Sequence, residues 1–139
     1  MENYIDFITH NIVIELIVVV IILDTILGSF RALKEKKWNS TVGIDGIIRK
    51  AGMLVTVLVF GVVDLILDFN MVAFIPEEIL SYLGNIKIGM VEVFGIMYVL
   101  YEFTSILKNM VKLDMPVIKG LKDKVETLLK NNTAELERK

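Results

Sequence analysis

Three apolar runs, each long enough to cross a bilayer and each set apart by a polar stretch, constrain this chain more than any other feature. The first, residues 12–30, carries only Glu15 and Asp24 among charged types. At ~1.5 Å per residue its 19 residues make a helix of about 28 Å, close to the hydrocarbon thickness of a membrane. Val13, Ile14 and Val18 to Val20 would suit a strand in water. A lone strand in lipid leaves its backbone groups unpaired, so the run reads as helix. The second run, 51–69, holds Asp64 and Asp68; the third, 88–107, holds Glu92 and Glu102. The expected fold is therefore all-α: an integral membrane protein with three transmembrane helices.

Composition narrows the function classes. Of 139 residues, 55% are hydrophobic, and the mean hydropathy of +0.64 is too high for an ordinary soluble domain of this size. The formal net charge of −2 gives no reason to expect a nucleic-acid partner. Without cysteine there is neither a disulfide framework nor a thiolate site, and the single histidine, His10, makes no metal site alone. No cofactor is expected. Ser29, Ser40 and Ser105 have no histidine placed to activate them, Asp64 and Asp68 do not form an aspartic dyad, and no glycine-rich phosphate loop occurs. The chain reads as a non-enzyme. Glu2 and Asp6 precede the first run where a secretory signal would carry positive charge, so that run is expected to be retained as structure.

Basic residues set the expected topology. Residues 31–50 hold six Lys and Arg, and residues from Lys108 onward hold eight, whereas the intervening connection, 70–87, holds only Lys87. The positive-inside rule places the 31–50 loop and the C-terminus in the cytoplasm and the N-terminus outside. Trp38 stands where an interfacial anchor belongs, and Gly43 and Gly46 loosen the loop before the second span. Within the outer connection, Pro76-Glu77-Glu78 reads as a short helix start and Gly84 as its end. In the tail, 108–139, Ile118, Leu121, Val125, Leu128 and Leu129 recur at helical spacing among lysines. That pattern predicts an amphipathic helix lying on an anionic leaflet or against a partner. The whole chain, 1–139, reads as one membrane domain.

The carboxylates inside the spans are the candidate functional residues. A charge at the centre of a spanning helix costs about 2.5–3.5 kcal/mol on insertion scales, so such groups usually face a protein interior or water. At about 100° per residue, Gly61, Asp64 and Asp68 share one helix face, and Gly95 and Glu102 nearly align on another. Asp24, Asp64 and Glu102 are read as facing an interior, with the small residues Gly28, Ala32, Gly61 and Gly95 permitting close helix approach. Alternatives stay open: Glu15, Asp68 and Glu92 reach the outer interface, and Asp24 and Glu102 pair with Arg31, Arg49, Lys50 or Lys108 or carry a proton.

Two blocks of sequence resemble a known family. The first is Asp24-Thr-Ile-Leu-Gly28 and Ala32, followed by Ser40-Thr-Val-Gly43-Ile-Asp-Gly46-Ile-Ile-Arg49-Lys50. The second is Glu102-Phe-Thr-Ser105-Ile-Leu-Lys-Asn109, followed by Pro116. Together with Asp64 they resemble the phage and clostridial holins, especially the holin-like proteins encoded beside large clostridial toxins. The resemblance covers about residues 12 to 130; the tail around Asp114-Met-Pro116-Val departs from the family pattern. It implies a multi-pass protein of the bacterial cytoplasmic membrane that forms homo-oligomers and permeabilises the bilayer. Its passenger would be an endolysin, or a large toxin lacking a signal peptide. A narrow ion channel and an accessory membrane anchor are the alternatives left by the residues alone.

Overall fold

Asn11 sets where the first long helix begins. Its backbone is extended, and its side-chain oxygen accepts hydrogen bonds from the amides of Val13 (3.0 Å) and Ile14 (3.2 Å). This caps donors that a helix start otherwise leaves unpaired. The computed structural model describes residues 2–36, 40–84 and 86–136, and every long element among them is a helix. These are α1 (Glu2–His10), α2 (Ile12–Lys34), α3 (Ser40–Leu67), α4 (Glu77–Leu83), α5 (Met90–Lys112) and α6 (Lys119–Leu136), with a 3₁₀ turn at Met71–Phe74.

Three helices are long and apolar enough to cross a membrane: Ile12–Lys34, Gly43–Leu67 and Met90–Lys112. They pack as one bundle in which α2 and α5 run parallel in the most extensive pairing, start beside start and end beside end, and α3 lies mainly against α5. On α2 the buried residues Ile14, Ile17, Val20, Ile21, Asp24 and Leu27 fall on one face at helical spacing. Ile14, Ile17 and Ile21 meet Val57 and Val91 in one apolar cluster; Val20 and Leu27 meet Ile106 in a second. Gly95 makes a close approach between α2 and α5. A Cβ there would overlap Val13 Cγ1 and Ile17 Cδ1, so α2 and α5 can close only because no side chain intervenes. The outward faces remain apolar: Val19, Ile22, Ile26, Val55, Val59 and Leu100 are all exposed. Hydrocarbon is the solvent that suits such a surface.

α2 and α5 end at Lys34 and Lys112, a turn or so past the expected 30 and 107, and two departures are larger. α3 begins at Ser40, so the stretch expected as a loop over 31–50 is mostly helix, and only residues 35–39 separate α2 from α3. Gly43 and Gly46 were expected to loosen the chain before the second span. Both sit within the helix with nothing near enough to touch a Cβ, so they are neither turns nor close-approach positions. Each costs a helix about 0.5–1 kcal/mol, less than the continuing apolar face of Ile44, Ile47 and Ile48 and its burial in lipid return. The second departure is α1, which the composition of residues 2–10 did not announce. Its Tyr4 hydroxyl donates to the Leu58 carbonyl (2.8 Å), and its Phe7 ring lies 3.2 Å from the place a Cβ would take on Gly61.

The connection between α3 and α5 is closed by Asn70. Its side chain accepts from the amides of Val72 and Ile88, both at 3.1 Å, while the Met71 amide donates to the Ile88 carbonyl. α4 lies between Pro76 and Gly84, the latter at φ 72, a conformation glycine adopts without strain. In α6, Val125 is buried while Leu128 stays exposed, as does Ile118 just before the helix. The interfacial reading of Trp38 falls outside the described residues.

Candidate functional site

A polar cluster crosses the middle of the bundle. Lys50 on α3 donates to Asp24 Oδ2 on α2 (2.8 Å) and to Glu102 Oε2 on α5. Asn109 on α5 donates through Nδ2 to Asp24 Oδ1 (2.8 Å), and its own Oδ1 accepts from Arg31 Nη1 on α2 (2.8 Å). Arg31 in turn lies 3.9 Å from Glu35. The chain of contacts therefore runs Glu35, Arg31, Asn109, Asp24, Lys50, Glu102 and touches every span.

Helical spacing explains why these residues meet. On α5, Glu102 and Asn109 are seven residues apart, two turns, and share a face with Ile106. On α3, Lys50, Met53, Val57, Gly61 and Asp64 are all buried and follow one face. The depths also agree. Asp24 stands ten residues from Lys34, Lys50 ten from Ser40, and Glu102 ten from Lys112, each about 15 Å in from the same end of the bundle.

The side chains of Lys50 and Asp24 are 10% and 9% exposed, and that of Glu102 is fully buried. At such depth two carboxylates and one ammonium satisfy each other only by direct contact, since little water reaches them. The match is incomplete: Glu102 Oε1 is buried without a hydrogen-bond partner. Beside the cluster but outside it, the Arg49 guanidinium lies 5.7 Å from the Tyr101 ring centroid, within range of a cation–π attraction.

A second polar layer sits at the other end. Asp64 accepts from the amides of Met90 and Val91 at 2.9 Å each, so it caps α5 from a neighbouring helix. A Cβ on Gly89 would overlap this carboxylate, which is why the chain has glycine there. Glu92 accepts from the Gly89 amide (2.7 Å) and from Asn11 Nδ2 (2.8 Å), joining the starts of α2 and α5. Here acids meet the positive ends of helices.

Outside the spans, Asp68 and Asp114 each take a left-handed backbone conformation just past a helix end. A hydrogen bond from Lys87, reinforced by its charge, holds the Asp68 carboxyl below the usual carboxylate range; Lys34 does the same for Asp114.

The residues singled out from sequence fall into groups. Asp24, Glu102, Lys50 and Asn109 come together, and Asp64 lies apart at the opposite end. Gly28 approaches Asn109 Nδ2, Gly61 receives α1, and Gly95 receives α2. Gly28, Gly61 and Gly95 thus serve approaches inside one chain, and Asp24, Asp64 and Glu102 each contact a donor there. Ala32 and Ser105 are half-buried beside the cluster's helices, Gly46 is half-buried, and Gly43, Arg49 and Pro116 are exposed. Ser40 opens α3. Sequence reasoning did not anticipate Asn11 and Asn70 as caps, nor Lys50 as a buried residue. The signal for Lys50 was present: carrying the face of Asp64 and Gly61 back by helical steps arrives at it.

A family model for bacteriophage holins matches residues 5–130. The chain is also 40% identical over 139 residues to the holin-like protein TcdE of Clostridioides difficile, covering all of this chain and 84% of that protein. No solved structure matches it. With three membrane-length helices, and both sequence blocks that resemble holins contributing side chains to one intramembrane cluster, the chain belongs to the bacteriophage holin family.

Proposed function

We propose that this protein permeabilises the bacterial cytoplasmic membrane by assembling with copies of itself, and that the whole chain acts as one membrane unit. The observation that carries the reading is the intramembrane cluster in a chain of the holin family. A bundle with apolar outer faces and a charged interior has a stable home in lipid. The same bundle has polar faces to offer water if its helices part. In the assembled state, the faces bearing Asp24, Asp64 and Glu102 turn toward a lumen or a neighbouring copy.

The basic end, with Arg31, Lys34, Lys108 and Lys112, faces the cytoplasm, which puts α1 outside. α6 lies on the anionic inner leaflet through Ile118 and Leu128, flanked by its lysines. The passenger is an endolysin or a large toxin without its own signal peptide.

Inducible expression in a bacterial host carrying a cytosolic reporter enzyme tests this, with membrane potential and reporter release followed together. An abrupt loss of potential with escape of folded reporter after a lag is the expected result. Loss of potential while the reporter stays inside would replace it with the narrow-channel reading. An accumulated protein that changes neither would refute permeabilisation.

A further inference from the structure

We propose that Lys50 is a latch: its ammonium holds α3 against the α2–α5 pair, and its withdrawal lets water reach two carboxylates and open the bundle. This rests on the permeabilising function proposed above and names the contact that delays it.

Four observations lead there. First, α2 and α5 are joined closely along their length, whereas α3 touches α2 sparingly. In the half of the bundle with the basic end, Lys50 is the α3 side chain whose polar contacts reach both other spans. Second, the cluster holds two acids for that one ammonium. The Arg31 guanidinium, the other cation nearby, donates to Asn109 and lies 3.9 Å from Glu35, and these contacts include neither Asp24 nor Glu102. Third, Glu102 Oε1 has no partner, so the acid excess falls on a fully buried group. Fourth, lysine is the flexible member. Its four-carbon stem lets the ammonium swing away from both acids, while Asp24 is additionally held by Asn109.

In the closed bundle one ammonium contacts both acids and the outside is apolar. Without the ammonium, two carboxyl groups share a dry interior, and the relief open to them is a captured proton or hydration. Hydration needs α3 to move away from α2 and α5, which converts the cluster face into a wet one. The acids therefore favour opening and Lys50 opposes it.

The test uses the full chain in the expression assay above, with the lag before potential loss as the readout and the amount in the membrane measured for each variant. Lys50→Met should shorten the lag severalfold, and Lys50→Arg, which keeps the charge, should restore much of it. The combination Asp24→Asn, Lys50→Met and Glu102→Gln removes restraint and drive together; it should insert normally and open late or never.

Lys50→Met at wild-type abundance with an unchanged lag overturns the latch. If Lys50→Met does not accumulate, the triple variant decides: a wild-type lag overturns the proposal, and a prolonged or absent opening upholds it. A wild-type chain that accumulates and never permeabilises overturns the proposed function and the latch with it. Wild-type leakage with insensitive variants overturns the latch alone.

Discussion

At one end of the bundle, Asp64 and Glu92 meet backbone amides and an asparagine; midway along it, Asp24 and Glu102 meet an ammonium. Both layers bury acids, but the partners differ in kind. The end layer uses donors fixed by the helices themselves, so its geometry follows from the fold and holds helix starts in place. The middle layer uses one long side chain from a third helix. Its geometry depends on that helix staying where it is. The first arrangement suits a permanent fastening, the second a releasable one.

The largest expected effect that would break this contrast comes from Asp24→Ala. It leaves Asn109 Nδ2 without its acceptor but Lys50 and Glu102 as a matched pair, so it should cost about 1–3 kcal/mol, read by denaturant unfolding of the detergent-solubilised chain. Asp64→Ala loses a cap and should cost about 1–2 kcal/mol, with Asp64→Asn milder because an amide oxygen still accepts. Equal losses at the two sites would erase the distinction.

Next come the glycines. Gly95→Ala places a Cβ against Val13 and Ile17 and should destabilise by about 1–3 kcal/mol. Gly43→Ala meets nothing and should stabilise α3 by about 0.5–1 kcal/mol. Opposite signs in the same unfolding assay would sharpen the picture of which approaches the bundle needs.

The smallest effect concerns the exposed pairs Asp68–Lys87 and Asp114–Lys34. Both carboxyls are shifted down in the folded chain, so the unfolded chain binds more protons in that range. Their contribution is present above the ordinary carboxylate range and fades as pH falls through the lowered values. Asp68→Asn and Asp114→Asn should flatten the acid limb of the stability profile slightly; an unchanged limb would assign it to other groups.

The spans were legible because lipid leaves apolar runs of this length few alternatives. Pairing of Asp24 and Glu102 with Lys50 was among the possibilities, since both acids lie in the half of their spans nearer the basic segments, but sequence could not choose among four candidate cations. Helix phase could have done so had α3 been continued past Gly46, and the two glycines argued against that. α1 was hidden for another reason. Tyr4 and Phe7 acquire meaning only from the gap at Gly61, more than fifty residues away. The caps at Asn11 and Asn70 are ordinary polar residues until the helix starts they serve are known.

The common depth of Asp24, Lys50 and Glu102 also bears on how the chain is made. A ribosome delivers these charges from the N-terminus onward: the first acid, then the ammonium, then the second acid. α2 enters the bilayer carrying an acid alone, at a cost of about 2.5–3.5 kcal/mol, which the arrival of α3 relieves by forming a neutral hairpin. α5 comes last and brings Glu102 to a lysine already engaged. The surplus acid is thus the final one inserted, so the chain's biogenesis ends by loading the charge imbalance that the finished bundle must hold.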